Sequence, residues 1–191
     1  MAKKLILASA SPRRREILQS AGYIFDIISP DAEEVSGGLS PEALTVENSK
    51  RKAEAALGER DGVIICADTV VAVGDTILGK PGCREKAIEM LSSLSGKDHS
   101  VITGYTVTDG SITVSGFVET VVTMREIHPD EITAYVDVCA PYDKAGAYGI
   151  QEAAGMFVSK IDGDYYNVVG LPLSKISEIL RGSFGISAFM K

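Results

Sequence analysis

Apolar and polar positions follow two rhythms along the chain. In the first half, continuous apolar runs at Leu5-Ile6-Leu7-Ala8 and from Val63 to Val73 stand between stretches of helical spacing, which predicts buried strands alternating with helices. Helices are expected from Pro12 to a stop at Gly22, over 42–57 with Gly58 as the stop, over 84–94 closed by Gly96, over 129–138, and from Pro172 to Arg181. Ser11-Pro12 and Ser40-Pro41 give the same start signal, a serine N-cap and a proline whose missing N–H has no helical partner in the first turn. From Ser100 the period drops to two: Val101, Thr103, Tyr105 and Val107 alternate up to an Asp109-Gly110 turn, and Ile112 to Met124 continues as one or two strands. Short strands are also expected over 24–28 and 156–161, with loops over 29–38 and 166–171 and a loosely held tail from Ser183. Strand–helix alternation followed by hairpins implies an α/β protein with a mixed sheet.

Composition narrows the class. At 191 residues the chain fits one domain or two closely joined lobes, and 45% hydrophobic with 24% charged residues is the balance of an ordinary globular protein. The run from Val63 to Val73 is broken by Asp68 and too short to cross a bilayer, and Met1-Ala2-Lys3-Lys4 does not open a signal peptide. A cytoplasmic protein without a membrane partner is expected. Cys66, Cys83 and Cys139 are odd in number and far apart, fitting neither a disulfide framework nor a zinc knuckle. A net charge of −7 disfavours a nucleic-acid backbone as partner. The basic residues gather locally instead, at Arg13-Arg14-Arg15 and Lys50-Arg51-Lys52, as suits a small anionic ligand.

Candidate chemistry begins at Ser9-Ala10-Ser11-Pro12-Arg13-Arg14-Arg15. A helix starting at Pro12 turns its unpaired amides and positive dipole end toward two serine hydroxyls and several guanidinium groups, an arrangement for an anion with several oxygens. Arg-rich first turns also occur as solvated surface, but there positive charge opposes the helix dipole, a cost that a bound anion relieves. Asp68 is the strongest catalytic or metal-binding candidate, because a carboxylate inside an apolar run needs a partner. Asp31, Glu33 and Glu34 are read as a solvated acidic turn or as carboxylates for a divalent metal. Gly74, Gly79 and Lys80 match the start of a P-loop, yet Pro81 stands where the magnesium-binding hydroxyl belongs, and the P-loop reading is rejected. Lys80 can still reach a phosphate. His99 and His128 lack metal-ligand spacing and are read as structural or surface residues.

Ser9-Ala10-Ser11-Pro12-Arg13-Arg14, Ala67-Asp68-Thr69-Val70-Val71, Leu78-Gly79-Lys80-Pro81, Leu94-Ser95-Gly96, Asp143 to Gln151 and Gly170-Leu171-Pro172, in this order, closely resemble the Maf family of nucleoside triphosphate pyrophosphatases. The resemblance runs from about Lys4 to Leu180 and implies a single domain over 1–191. The implied fold is α/β, an elongated mixed sheet flanked by helices, related to the inosine triphosphatase group and with a cleft between two lobes. The implied activity is hydrolysis of a nucleoside triphosphate to the monophosphate and pyrophosphate, in nucleotide housecleaning, with a link to septum formation and division arrest. Arg13, Thr69 and Gln151 match the subgroup that prefers dTTP and UTP. Two departures stand out: Glu152 where the family usually has glycine, and Asn48 where a small or apolar helix residue is usual.

The resemblance makes Asp68 the catalytic residue and Ser9, Arg13, Arg14, Lys52 and Lys80 the phosphate binders, and the chemistry asks for Mg2+ or Mn2+ as cofactor, held by Asp68 with Glu33 or Glu34 completing its oxygen shell. A homodimer is the assembly considered. Cleaving a triphosphate asks for positioning and charge neutralisation more than covalent chemistry, which these residues can supply. An aspartyl-phosphate phosphatase would want a second Asp two residues after Asp68, where Val70 stands. A nucleotide-binding regulator without turnover is the remaining alternative.

Overall fold

A computed structural model describes residues 4–57 and 62–189. Its centre is the β-branched run Val63–Val73, one continuous strand. With β1 Leu5–Ala8, β2 Asp26–Ile28, β3 Val63–Val73, β4 Thr76–Leu78, β5 Asp98–Thr108, β6 Thr113–Met124 and β7 Val158–Asp162, the described strands form a sheet ordered β2-β1-β3-β5-β6-β7, with β4 on the end of β3. The pairings of β1 with β2 and β3 are parallel and the rest antiparallel, so the sheet is mixed as expected.

The length of β3 and β5 makes two lobes out of one sheet. One core gathers the first half of β3, Val63, Ile65 and Ala67, with β1, with α1 (Pro12–Ser20) and with α6 (Leu173–Phe184). The other gathers Val71 near the far end of β3 with α3 (Arg84–Leu94), α4 (Pro129–Cys139) and the last residues of β6. Across the opposite face lies α2 (Pro41–Leu57), its Ala53 and Ala56 against Ile64 and Cys66, and its Leu44 against Val70 and Ile102. The period-two pattern of β5 therefore marks no solvent face: residues 101–108 are all buried, with α2 on one side and the cores on the other. Gly104 is required there, since any Cβ would overlap the backbone of Thr45.

Two expectations are corrected. Residues 166–171 are mostly not loop: α5 spans Tyr165–Val169, its start fixed by Asp164, whose Oδ1 accepts from the amides of Tyr166 at 2.8 Å and Asn167 at 3.3 Å. Nor is the chain loose from Ser183. Helix α6 continues to Phe184, and Phe184, Ile186 and Ala188 pack on the first core. The expected stop at Gly58 lies outside the described residues.

Candidate active site

A cleft of about 740 Å³ opens where the two lobes share β3. Its walls are the β1–α1 turn, the strap over residues 29–36, one face of α2, the middle of β3, the end of β4 and the segment 143–152. Every residue expected to bind phosphate or set specificity lines it: Ser9, Arg13, Arg14, Lys52, Lys80, Thr69 and Gln151, together with Asp68 and Glu34. Glu33 does not. Of the two strap glutamates expected as metal ligands, Glu34 is the one among the cleft-lining residues.

At the start of α1, Pro12 occupies the first turn, but the Ser11 hydroxyl makes no capping bond. The Ser11 amide instead donates to Ser9 Oγ at 3.2 Å. The two neighbouring arginines separate in role. Arg13 is half-buried and makes no hydrogen bond or salt bridge among the described residues. Arg14 donates from Nε to the Gly170 carbonyl at 2.7 Å, from Nη1 to the Ala67 carbonyl at 2.9 Å and Ser9 Oγ at 3.3 Å, and from Nη2 to Thr69 Oγ1 at 3.0 Å. Burial pushes the Arg14 guanidinium below its ordinary pKa, with Arg13 acting in the same direction. With four of its five N–H groups committed to the protein, Arg14 joins α1, β3 and the end of α5, and has little left for a phosphate. Gly170, at φ +122°, leaves the room: a Cβ there would come within 3.4 Å of Thr69 Oγ1.

Asp68 faces the other way from Thr69, as successive strand residues must. Its Oδ1 meets Lys52 Nζ at 2.8 Å, and its Oδ2 accepts from Asn48 Nδ2 at 3.2 Å. Lys52 also reaches Glu34 Oε1 at 2.7 Å. Asn48 and Lys52 stand one turn apart on α2, so a single helix face presents both to the carboxylate. This answers the cost of burying Asp68, which retains 15% of its side-chain exposure and is fully paired. Cys66, also on β3, is not a competing nucleophile, since burial pushes its thiol up to about 12.

No group of three or more His, Cys, Asp or Glu side chains with metal-binding geometry occurs among the described residues. Asp68 and Glu34 do converge, both on Lys52 Nζ. Two carboxylates completed by substrate phosphate oxygens and water fit what Mg2+ asks for, so the donor set suits a metal carried in with a triphosphate.

The far wall carries further charge. Lys80 is exposed and, among the described residues, without a salt bridge. Lys144, a cleft residue inside the stretch from Asp143 to Gln151, lies 3.4 Å from both Asp143 and Glu152. Asn48 was visible in the sequence only as a departure; its i,i+4 spacing to Lys52 was the signal that could have placed it beside Asp68.

Residues 4–183 match the family described as Maf-like protein. A dTTP/UTP pyrophosphatase of Alkaliphilus metalliredigens is 48% identical over 190 residues, covering 97% of this chain and 98% of that protein. One of Thermococcus onnurineus is 44% identical over 182 residues, covering 95% and 99%. Among solved structures, a HAM1 protein from Coxiella burnetii shares the fold with a TM-score of 0.54 at 16% identity, over 96% of this chain and all of that one.

Proposed function

This chain belongs to the Maf-like protein family, and from that premise we propose that it hydrolyses nucleoside triphosphates to the monophosphate and pyrophosphate, with dTTP and UTP preferred. The observation that carries the reading is Asp68, held by Lys52 and Asn48 on the floor of a cleft whose rim bears Arg13 and Lys80.

A triphosphate carries about four negative charges near neutral pH, and these are what the free cations meet. Arg13 offers a bidentate fork and Lys80 a point charge, while the amides at the start of α1 add their dipole. Asp68 accepts a proton from water, the hydroxide oxygen forms a bond to the α phosphorus, and the α–β anhydride bond breaks with its electron pair leaving on pyrophosphate. A divalent ion held by Asp68 and Glu34 would neutralise charge on the phosphate oxygens. Lys52 keeps the two carboxylates in register and can pass to a phosphate oxygen when substrate enters. Gln151, exposed in the cleft and bearing an amide donor and acceptor, suits the base edge of a pyrimidine.

The test is product analysis: incubate the protein with each common nucleoside triphosphate and Mg2+ or Mn2+, and identify both products. Pyrophosphate with dTMP or UMP, formed faster than from ATP or GTP, is expected. Orthophosphate as first product would mean an aspartyl-phosphate enzyme, and tight binding without product a regulator.

A further inference from the structure

We propose that Asn48 is a positioning residue that locks the Asp68 carboxylate to the strap carrying Glu34, so that the two acidic groups of the cleft are set as one unit; this rests on the hydrolytic reading above.

The side chain is 3% exposed, yet every polar atom of it is used. Its Oδ1 accepts from the Val35 amide at 2.8 Å, and its Nδ2 donates to the Val35 carbonyl at 3.1 Å and to Asp68 Oδ2 at 3.2 Å. These partners admit one orientation of the amide, since the flipped one would set its oxygen against a carbonyl and a carboxylate and its NH2 against an N–H.

The contacts close a ring. Glu34 Oε1 meets Lys52 Nζ at 2.7 Å, Lys52 meets Asp68 Oδ1 at 2.8 Å, Asp68 Oδ2 meets Asn48, and Asn48 returns through Val35 to its chain neighbour Glu34. Lys52 is the charged half of this ring and is free to exchange carboxylates for phosphates. Asn48 is the neutral half, whose bonds do not depend on what Lys52 touches. It therefore holds the rotation of the Asp68 carboxylate, and the place of the strap, while substrate occupies the cleft. Regular structure does not do this for the strap: 29–39 contains no helix or strand.

The experiment compares Asn48→Leu and Asn48→Asp with the parent in three measurements: dTTP turnover, melting temperature, and hydrogen exchange over residues 29–39. Leucine keeps the bulk without any hydrogen bond. Aspartate keeps the oxygen used by the Val35 amide but turns the donor toward Asp68 into a repelling oxygen. Both variants should lose turnover on the order of tenfold or more, the scale for removing the partner that orients a reacting group, with KM within about twofold, and Asn48→Asp should be at least as impaired as Asn48→Leu. Asn48→Leu should also speed exchange at Val35. If both variants melt lower but keep the parent kcat well below their melting temperatures, Asn48 only fills space and the inference is overturned. If the parent releases pyrophosphate from no triphosphate, the hydrolytic reading fails separately, and unchanged exchange at Val35 in Asn48→Leu would still overturn the coupling.

Discussion

Arg14 and Lys80 bring the same charge to the same cleft and are held in opposite ways. Arg14 is half-buried and has four protein acceptors, whereas Lys80 is exposed with no salt bridge among the described residues. Arg14→Ala should therefore lower stability by about 2 kcal/mol or more, because charged hydrogen bonds in a part-buried node are broken and their acceptors stranded. Lys80→Ala should melt with the parent and reduce dTTP turnover by roughly ten- to a hundredfold, the loss of one charge-assisted phosphate contact. Thermal melts and steady-state rates on both variants decide it; equal melting temperatures would show that Arg14 is no more structural than Lys80. For Asp68→Asn, shape is conserved and the proton acceptor is lost. Turnover should fall about a hundredfold or more while nucleotide affinity is retained, as equilibrium binding and initial rates would show.

At the scale of elements, the site depends on how closely α2 lies against β5. Ser49 Oγ and Thr106 Oγ1 stand 2.8 Å apart, and at Gly104 the helix backbone occupies the space a side chain would need. Gly104→Ala must push α2 outward, and α2 carries both Asn48 and Lys52. A loss of about 3 kcal/mol is expected, together with a turnover defect at temperatures where the variant is folded. Gly116→Ala is the control: a Cβ there meets chiefly the hydroxyl end of Tyr105, which can shift, so stability and rate should change far less. The helices were readable because Ser-Pro starts and glycine stops are local signals. Helix α5 was not, since five residues give too little periodicity and its start rests on one aspartate cap.

For the molecule as a whole, one buried base sets an acid limit. His99 lies beneath the cleft wall, its Nε2 2.7 Å from the Tyr148 hydroxyl and its Nδ1 without a hydrogen-bond partner among the described residues. Burial pushes its pKa down to about 4, despite the opposing pull of Asp98. The folded protein thus holds His99 neutral where the unfolded chain protonates it near 6.5, so unfolding takes up a proton between these values. Stability contributed by neutral His99 is whole above about pH 6.5 and falls as pH drops toward 4, by about 3 kcal/mol. His99→Gln should flatten the fall of melting temperature over that window. A parallel fall in both proteins would place the acid sensitivity elsewhere. Glu131, pushed to about 2 by Arg125, loses its contribution only at lower pH, as the pH drops below the ordinary carboxylate range.

By itself the sequence determined the strand–helix order, the mixed sheet and most of the cleft's residue set, because apolar period, Ser-Pro starts and a carboxylate in an apolar run are properties of neighbouring residues. Asp68 and Arg13 were legible for that reason, while Lys80 and Gln151 were placed by the family resemblance. Tertiary structure alone decided which charges remain free. Arg14 and Arg13 are adjacent and chemically identical, and only the carbonyls of Ala67 and Gly170, brought from distant parts of the chain, consume one and leave the other. Likewise Glu33 and Glu34 cannot be told apart in sequence, while the path of the strap sends Glu34 to Lys52 and leaves Glu33 outside the cleft. Asn48 became part of the site only when α2 settled over β3, since an amide's role is fixed by its hydrogen-bond partners, and its three bonds go to Val35 and Asp68 from elsewhere in the chain.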